Sequence, residues 1–71
     1  MNSSKTLSTD MDLFTAALLQ VPVQVWGRTV DDVLVLLEPE GMIGKITPNF
    51  IRVNGKSYDR DECIIRVEVP S

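Results

Sequence analysis

Hydrophobic residues recur along this chain with two different periods, and the changes of period divide it into elements. Between Asp10 and Gln20, Met11, Phe14 and Leu18 fall at i, i+3 and i+7, which lays them along one stripe of a helix. Thr9 or Ser8 can cap its start, Asp10 and Asp12 sit where the helix dipole favours negative charge, and Pro22 stops it. The period then falls to two. Val21, Val23 and Val25 alternate with Pro22, Gln24 and Trp26, predicting a strand with one buried face, and Gly27 allows a bend or bulge after it. Val33 to Leu37 is apolar at every position. It fits a strand buried on both faces or one turn of a buried helix, and its β-branched content with Pro39 and Gly41 nearby favours strand.

The second half reads more sharply. Met42 to Ile46 predicts a strand that bends at Gly44, Thr47-Pro48-Asn49 a turn, and Phe50 to Val53 a strand. Asn54-Gly55 is a strong two-residue hairpin signal, with Lys56 to Tyr58 as the return. That hairpin sets Ile51 opposite Tyr58 and Val53 opposite Lys56 on one face, and Arg52 opposite Ser57 on the other. Asp59-Arg60-Asp61-Glu62 is too charged to continue a buried strand and predicts a one-turn corner. A last strand follows, with Cys63, Ile65, Val67 and Val69 on one side and Ile64, Arg66 and Glu68 on the other. Residues 1–8, rich in Ser, Thr and Asn, predict a mobile leader, leaving 9–71 as one domain. One short helix followed by about five short bent strands outlines a mainly β fold, a small five-stranded barrel of the Sm-like or SH3-like kind, closed so that few strand edges stay open.

Composition narrows the chemistry. At 71 residues the chain is near the lower limit for a core that stabilises itself alone, so self-association enters at once. There is no histidine and one cysteine, Cys63, which removes an intrachain disulfide, Cys/His metal sets and the usual nucleophile-histidine pairs. The expectation is no cofactor, no small-molecule substrate and no enzymatic activity. The N-terminal segment lacks the apolar core of a signal peptide and no apolar run approaches membrane length, so a soluble, reduced, cytoplasmic protein with no membrane partner is expected. Residues 1–40 carry two basic side chains against six acidic ones, a net charge of −4, whereas residues 41–71 carry five against four, a net of +1. A basic surplus for nucleic acid is therefore local and small.

The order of elements and several short stretches carry a family resemblance. MDLFTAALLQVPVQVW resembles the N-terminal helix and first strand of the bacterial Sm-like RNA chaperones of the Hfq type, in which a PFLNAL-like helix leads into a VPV strand. GKITPNFIRV resembles that family's second and third strands, Tyr58-Asp59-Arg60 stands where the family carries Tyr-Lys-His, and IIRVEVPS resembles its closing strand. The resemblance spans most of residues 11–71 and implies a barrel and a ring of subunits. Three departures bear on function: Asp59-Arg60 replaces the RNA-contacting Lys-His pair, TVDDVLVLLEPE lengthens the loop between the first two strands, and the family's glycine pattern after the first strand has no clean match. RNA binding is not among the things the resemblance carries over.

Three candidate sites follow from the residues. Val33, Val35 and Leu37 leave an apolar strand face that so small a domain cannot cover. Exposed apolar area costs about 25 cal/mol per Å², so a second copy, or another protein, adding a strand would resolve it. Trp26, on the face opposite Val23 and Val25, is either covered by the helix or is an anchor for that partner. Lys45, Arg52, Lys56 and Arg60, with Phe50 or Tyr58 to stack on bases, form the best constellation for single-stranded RNA. The carboxylates of Asp59, Asp61 and Glu62 suit a hard cation, but without the glycine and distant glutamate of a calcium loop they read more simply as a solvated corner.

Overall fold

The computed structural model describes the backbone of residues 2–70 and the side chains of residues 3–68. It is mainly β. Strand β1 (Asn2–Thr6) leads to helix α1 (Asp10–Leu18), then β2 (Val23–Arg28), β3 (Leu34–Gly41), β4 (Ile43–Ile46), β5 (Phe50–Val53), β6 (Lys56–Asp59) and β7 (Cys63–Pro70). The strands form two antiparallel sheets, one ordered β1-β7-β2-β3 and the other β4-β5-β6.

The helix begins as its sequence predicts, with Thr9 Oγ1 accepting the backbone N–H of Asp12 at 3.1 Å. It ends before Pro22 acts. Gln20 takes a left-handed φ of 56°, its N–H bonds to Ala17 O and that of Val21 to Ala16 O, which satisfies the last carbonyls in a Schellman cap. The buried stripe is Leu13 and Ala16, packed on a core of Leu7, Val23, Val25, Ile51, Val53, Ile65 and Val67. Met11, Phe14 and Leu18, the stripe picked out by spacing, face outwards, and α1 packs beside β4 rather than over Trp26. Two of the apolar helix faces compete for one core, and periodicity does not say which wins.

The hairpin register is as read from the sequence: Ile51 opposite Tyr58, Arg52 opposite Ser57 and Val53 opposite Lys56. The extra residue in β4 is Gly44, where the register against β5 slips between Ile43 and Lys45. Gly27 does not bulge; it pairs regularly with Val35 and Cys63, and its missing side chain leaves room for Leu37, whose Cδ1 lies 2.7 Å from where a Cβ would stand. Both irregularities of the β2–β3 ladder lie on the β3 side, which holds more residues than β2 over the same span. Proline is tolerated there because β3 is an edge strand.

A closed five-stranded barrel is not what forms. The chain passes from one sheet to the other through Met42 alone, between β3 and β4, and returns through the corner at 60–62, Asp59 being the last residue of β6. Closure would need β7 to offer its second edge to β6. That edge is already taken by residues 2–6, which the sequence reading assigned to a leader and which instead pair as β1 from Asn2–Pro70 to Thr6–Arg66. Polar side chains are no obstacle to an edge strand whose other face is solvent.

Candidate functional site: the open edge of the four-stranded sheet

The loop before β3 fixes that strand's orientation. Thr29 N donates to Val33 O at 2.9 Å and Asp32 N to Thr29 O at 3.0 Å, while Asp32 holds φ at 63°. This is a three-residue hairpin loop built on a turn plus a left-handed residue, with aspartate in glycine's usual place. Thr29 and Val33 are therefore a hydrogen-bonded pair. Antiparallel ladders alternate, so Arg28–Leu34 is a non-bonded pair, Gly27–Val35 a bonded one and Trp26–Leu36 non-bonded. The backbone N–H of Arg28 agrees, since it points away from β3 to Glu62 O. The N–H and C=O groups of Leu34 and Leu36 consequently point off the sheet, and among the described residues no strand lies beyond them.

Side chains along this edge are as uncovered as their backbone. Val33, Val35, Leu36 and Leu37 are between 40% and 55% exposed. The structure separates the proposed interface residues, however. Leu34 and Leu36 share the outer face of the sheet with Trp26 and Ile64, whereas Val35, with Leu37 over Gly27, belongs to the opposite face. Val33 lies in the loop just before β3. Trp26 is not under the helix: it is half-buried, donates through Nε1 to Gln24 at 3.1 Å and has the Arg66 guanidinium 5.8 Å from its ring. The sequence reading missed Leu34 and Leu36 as the residues whose backbone is open. Hairpin-loop length and the alternation of bonded pairs would have found them.

The basic constellation is broken up. Lys45 stands directly opposite Arg52 on the outer face of the three-stranded sheet, with Ser57 beyond, and Phe50 lies on the same face. Lys56 and Tyr58 belong to the other face. The Tyr58 hydroxyl donates to the Glu38 carboxylate at 3.0 Å, and the other oxygen of Glu38 accepts from Asn54 Nδ2 at 3.1 Å. These bonds hold the Glu38 carboxyl below its ordinary value, whereas burial, with Glu38 second, pushes the Tyr58 hydroxyl up. Asn54 also accepts from Met42 N, so the group locks the bend between the two sheets against the hairpin.

Arg60 does not reach out to a ligand. Its guanidinium donates to Thr47 O at 2.7 Å and to Asp10 Oδ1 at 2.6 Å, tying the corner to the β4–β5 turn and to the start of α1. Its own backbone N–H bonds to Asn49 O, and Asp61 N bonds to Asp59 Oδ1, so the charged segment is a docked corner. Among the described residues no group of carboxylates or thiols stands ready for a metal ion. Cys63 is partly buried; burial, reinforced by Glu62 and Asp59, raises its thiol above the ordinary range and leaves it a poor nucleophile. A shallow cleft of about 360 Å³ follows the seam between the sheets, with Leu13 and Ile51 beneath it and Arg60 at its rim. Among the described residues no helix is long and apolar enough to cross a membrane. Comparison with protein-family models, with characterised sequences and with solved structures finds no match.

Proposed function

We propose that this chain is a non-catalytic binding module that works through protein–protein contacts and associates with itself, in the cytoplasm or another compartment that keeps Cys63 reduced. The observation that carries the reading is the β3 edge, where an apolar row and the outward backbone groups of Leu34 and Leu36 lie open together. Natural proteins usually blunt such an edge with charge or cover it; an uncovered one is a template for strand addition. The succession of helix, β2, β3 with β4, β5, β6 and β7 supports reading the architecture as an Sm-like or SH3-like barrel that β1 keeps from closing. The raised thiol and the absence of histidine from the sequence favour binding over catalysis.

RNA binding is the second reading, favoured by one observation. Like charges directly opposite on a sheet repel, yet Lys45 faces Arg52 beside Phe50 with neither cation in an ion pair among the described residues. A polyanion would relieve that repulsion.

Sedimentation across a concentration series separates the two. Self-association predicts a mass rising above the 7.9 kDa monomer without nucleic acid and little affected by added salt. RNA binding predicts a monomer that shifts only when an oligonucleotide is added and loses it as salt rises. A monomer at every concentration would refute the first reading.

A further inference from the structure

Resting on the self-association reading, the geometry points to one specific partner arrangement: we propose that β3 pairs antiparallel with β3 of a second copy about a two-fold axis at Val35, so that Leu34 of each copy lies opposite Leu36 of the other. The backbone limits the possible registers first. Only Leu34 and Leu36, of the residues in the regular part of the β2–β3 ladder, aim their N–H and C=O groups off the edge. A two-fold pair must therefore match even-numbered residues with even-numbered ones. This admits three registers that use both leucines: Leu34 with Leu34, Leu34 with Leu36, or Leu36 with Leu36.

Side-chain chemistry chooses among them. The apolar row runs from Val33 to Leu37, with Asp31 and Asp32 before it and Glu38 and Glu40 after. Centring on Leu34 sets Asp32 against Leu36, and centring on Leu36 sets Glu38 against Leu34. Only a centre at Val35 lays the whole row against itself; it also brings Asp32 level with Glu38 of the other copy, but Asp32 lies in the loop before β3, ion-paired with Arg28, and the Glu38 carboxylate is turned to Tyr58 and Asn54. Val35 then meets its counterpart in a non-bonded pair, where side chains approach closest. Because the axis is perpendicular to the sheet, outer faces stay outer, and the Trp26–Leu36 strip of one copy continues into Leu34 and Arg28 of the other.

The other edges explain why assembly stops at two. Strand β1 presents Ser3, Ser4, Lys5 and Thr6, β6 presents Lys56, Ser57, Tyr58 and Asp59, and β4 is four residues long, broken by Gly44 and Lys45 and packed beside α1. None offers an unbroken apolar row to β3, and like meeting like closes the assembly where head-to-tail contact would extend it. A strand pair of five residues buries less than the roughly 1,200 Å² typical of a stable interface. The dimer is therefore weak and depends on concentration.

Single-cysteine variants in a Cys63→Ser background test the register. Val35→Cys should oxidise to a covalent dimer readily, because non-bonded antiparallel pairs hold Cα atoms about 4.5 Å apart. Leu36→Cys should not, since its nearest copy lies two residues along the partner strand, beyond the reach of about 7 Å. A second variant, Leu36→Pro, removes an outward N–H and the leucine side chain of the contact but no bond of the β2–β3 ladder; it should keep the monomer's circular dichroism and abolish concentration-dependent mass. Faster cross-linking of Leu36→Cys, or an oligomer that survives Leu36→Pro, would overturn this pairing while leaving self-association standing. A mass that stays monomeric, with no cross-link in Val35→Cys, would remove both.

Discussion

Replacing Arg60 by alanine should cost this protein a large part of its stability, even though sequence reasoning places that residue among ligand-binding cations. The Arg60 side chain is 18% exposed, and its guanidinium makes two bonds, to Thr47 O at 2.7 Å and Asp10 Oδ1 at 2.6 Å. A bond from a charged donor to a part-buried carbonyl contributes about 1.5–3 kcal/mol. The ion pair adds less, about 0.2–1 kcal/mol, because Asp10 is mostly in solvent. Together these give a loss of roughly 2–4 kcal/mol, against a total of about 3.5–10 kcal/mol for a chain of this length. The melting temperature should fall by roughly 10–25 °C. Urea unfolding followed through Trp26 fluorescence measures the loss, and a double-mutant cycle with Asp10→Asn isolates the ion pair. Lysine at this position should rescue only partly, since one ammonium cannot serve carbonyl and carboxylate in the same fork geometry. A change below about 0.5 kcal/mol for Arg60→Ala would mean that the corner is not held by this side chain.

The remaining predictions concern the bend between the sheets. Glu38 has its carboxyl lowered from 4.5, first by the Tyr58 hydroxyl and then by Asn54, so its contribution is complete above pH about 4.5 and is lost as pH falls through the lower folded value. Tyr58, raised from 10.0, contributes fully below pH about 10 and loses its share as pH rises through the higher folded value. Tyr58→Phe should flatten the acid limb of a stability-versus-pH profile, and an unchanged limb would refute the link. Gly41→Ala would drive a Cβ into Val53 Cγ1 with Glu38 Cγ at 3.1 Å, so unfolding midpoints should report a loss of about 1–3 kcal/mol. Adding Val53→Ala should recover part of that loss by making room; a fully additive double variant would show that the clash is not the cause.

Local signals were legible where one short-range effect decides. Asn54-Gly55 marks the hairpin and its register, Thr9 or Ser8 the start of the helix, and Gly44 a bend that the structure makes as a bulge, whereas the bend or bulge expected at Gly27 does not form. The corner at 59–62 was legible too, because four charged residues in a row cannot lie in a core. What escaped needed knowledge of distant partners. Residues 2–6 have no hydrophobic period, and only the vacancy beside β7 makes them a strand. The helix offers two apolar stripes, Leu13 with Ala16 and Met11 with Phe14 and Leu18, and the fit against β4 selects the first. For the site, the uncovered row at 33–37 was readable from its lack of polar positions in so short a chain. The basic residues were not separable by sequence, because Arg60 and Tyr58 are claimed by Asp10, Thr47 and Glu38, which lie far from them along the chain.

The pairing of β1 with β7 also sets how the molecule responds to force. Asn2 lies opposite Pro70, so a load applied at both ends pulls the two strands apart from one tip. Bonds then break one after another towards Thr6–Arg66 and the Leu7–Ile65 contact, instead of all at once as they would in shear. Gentle tension would peel β1 away before the core feels it, and the first thing it would uncover is the flank of β7 that β1 occupies and that closure onto β6 would need.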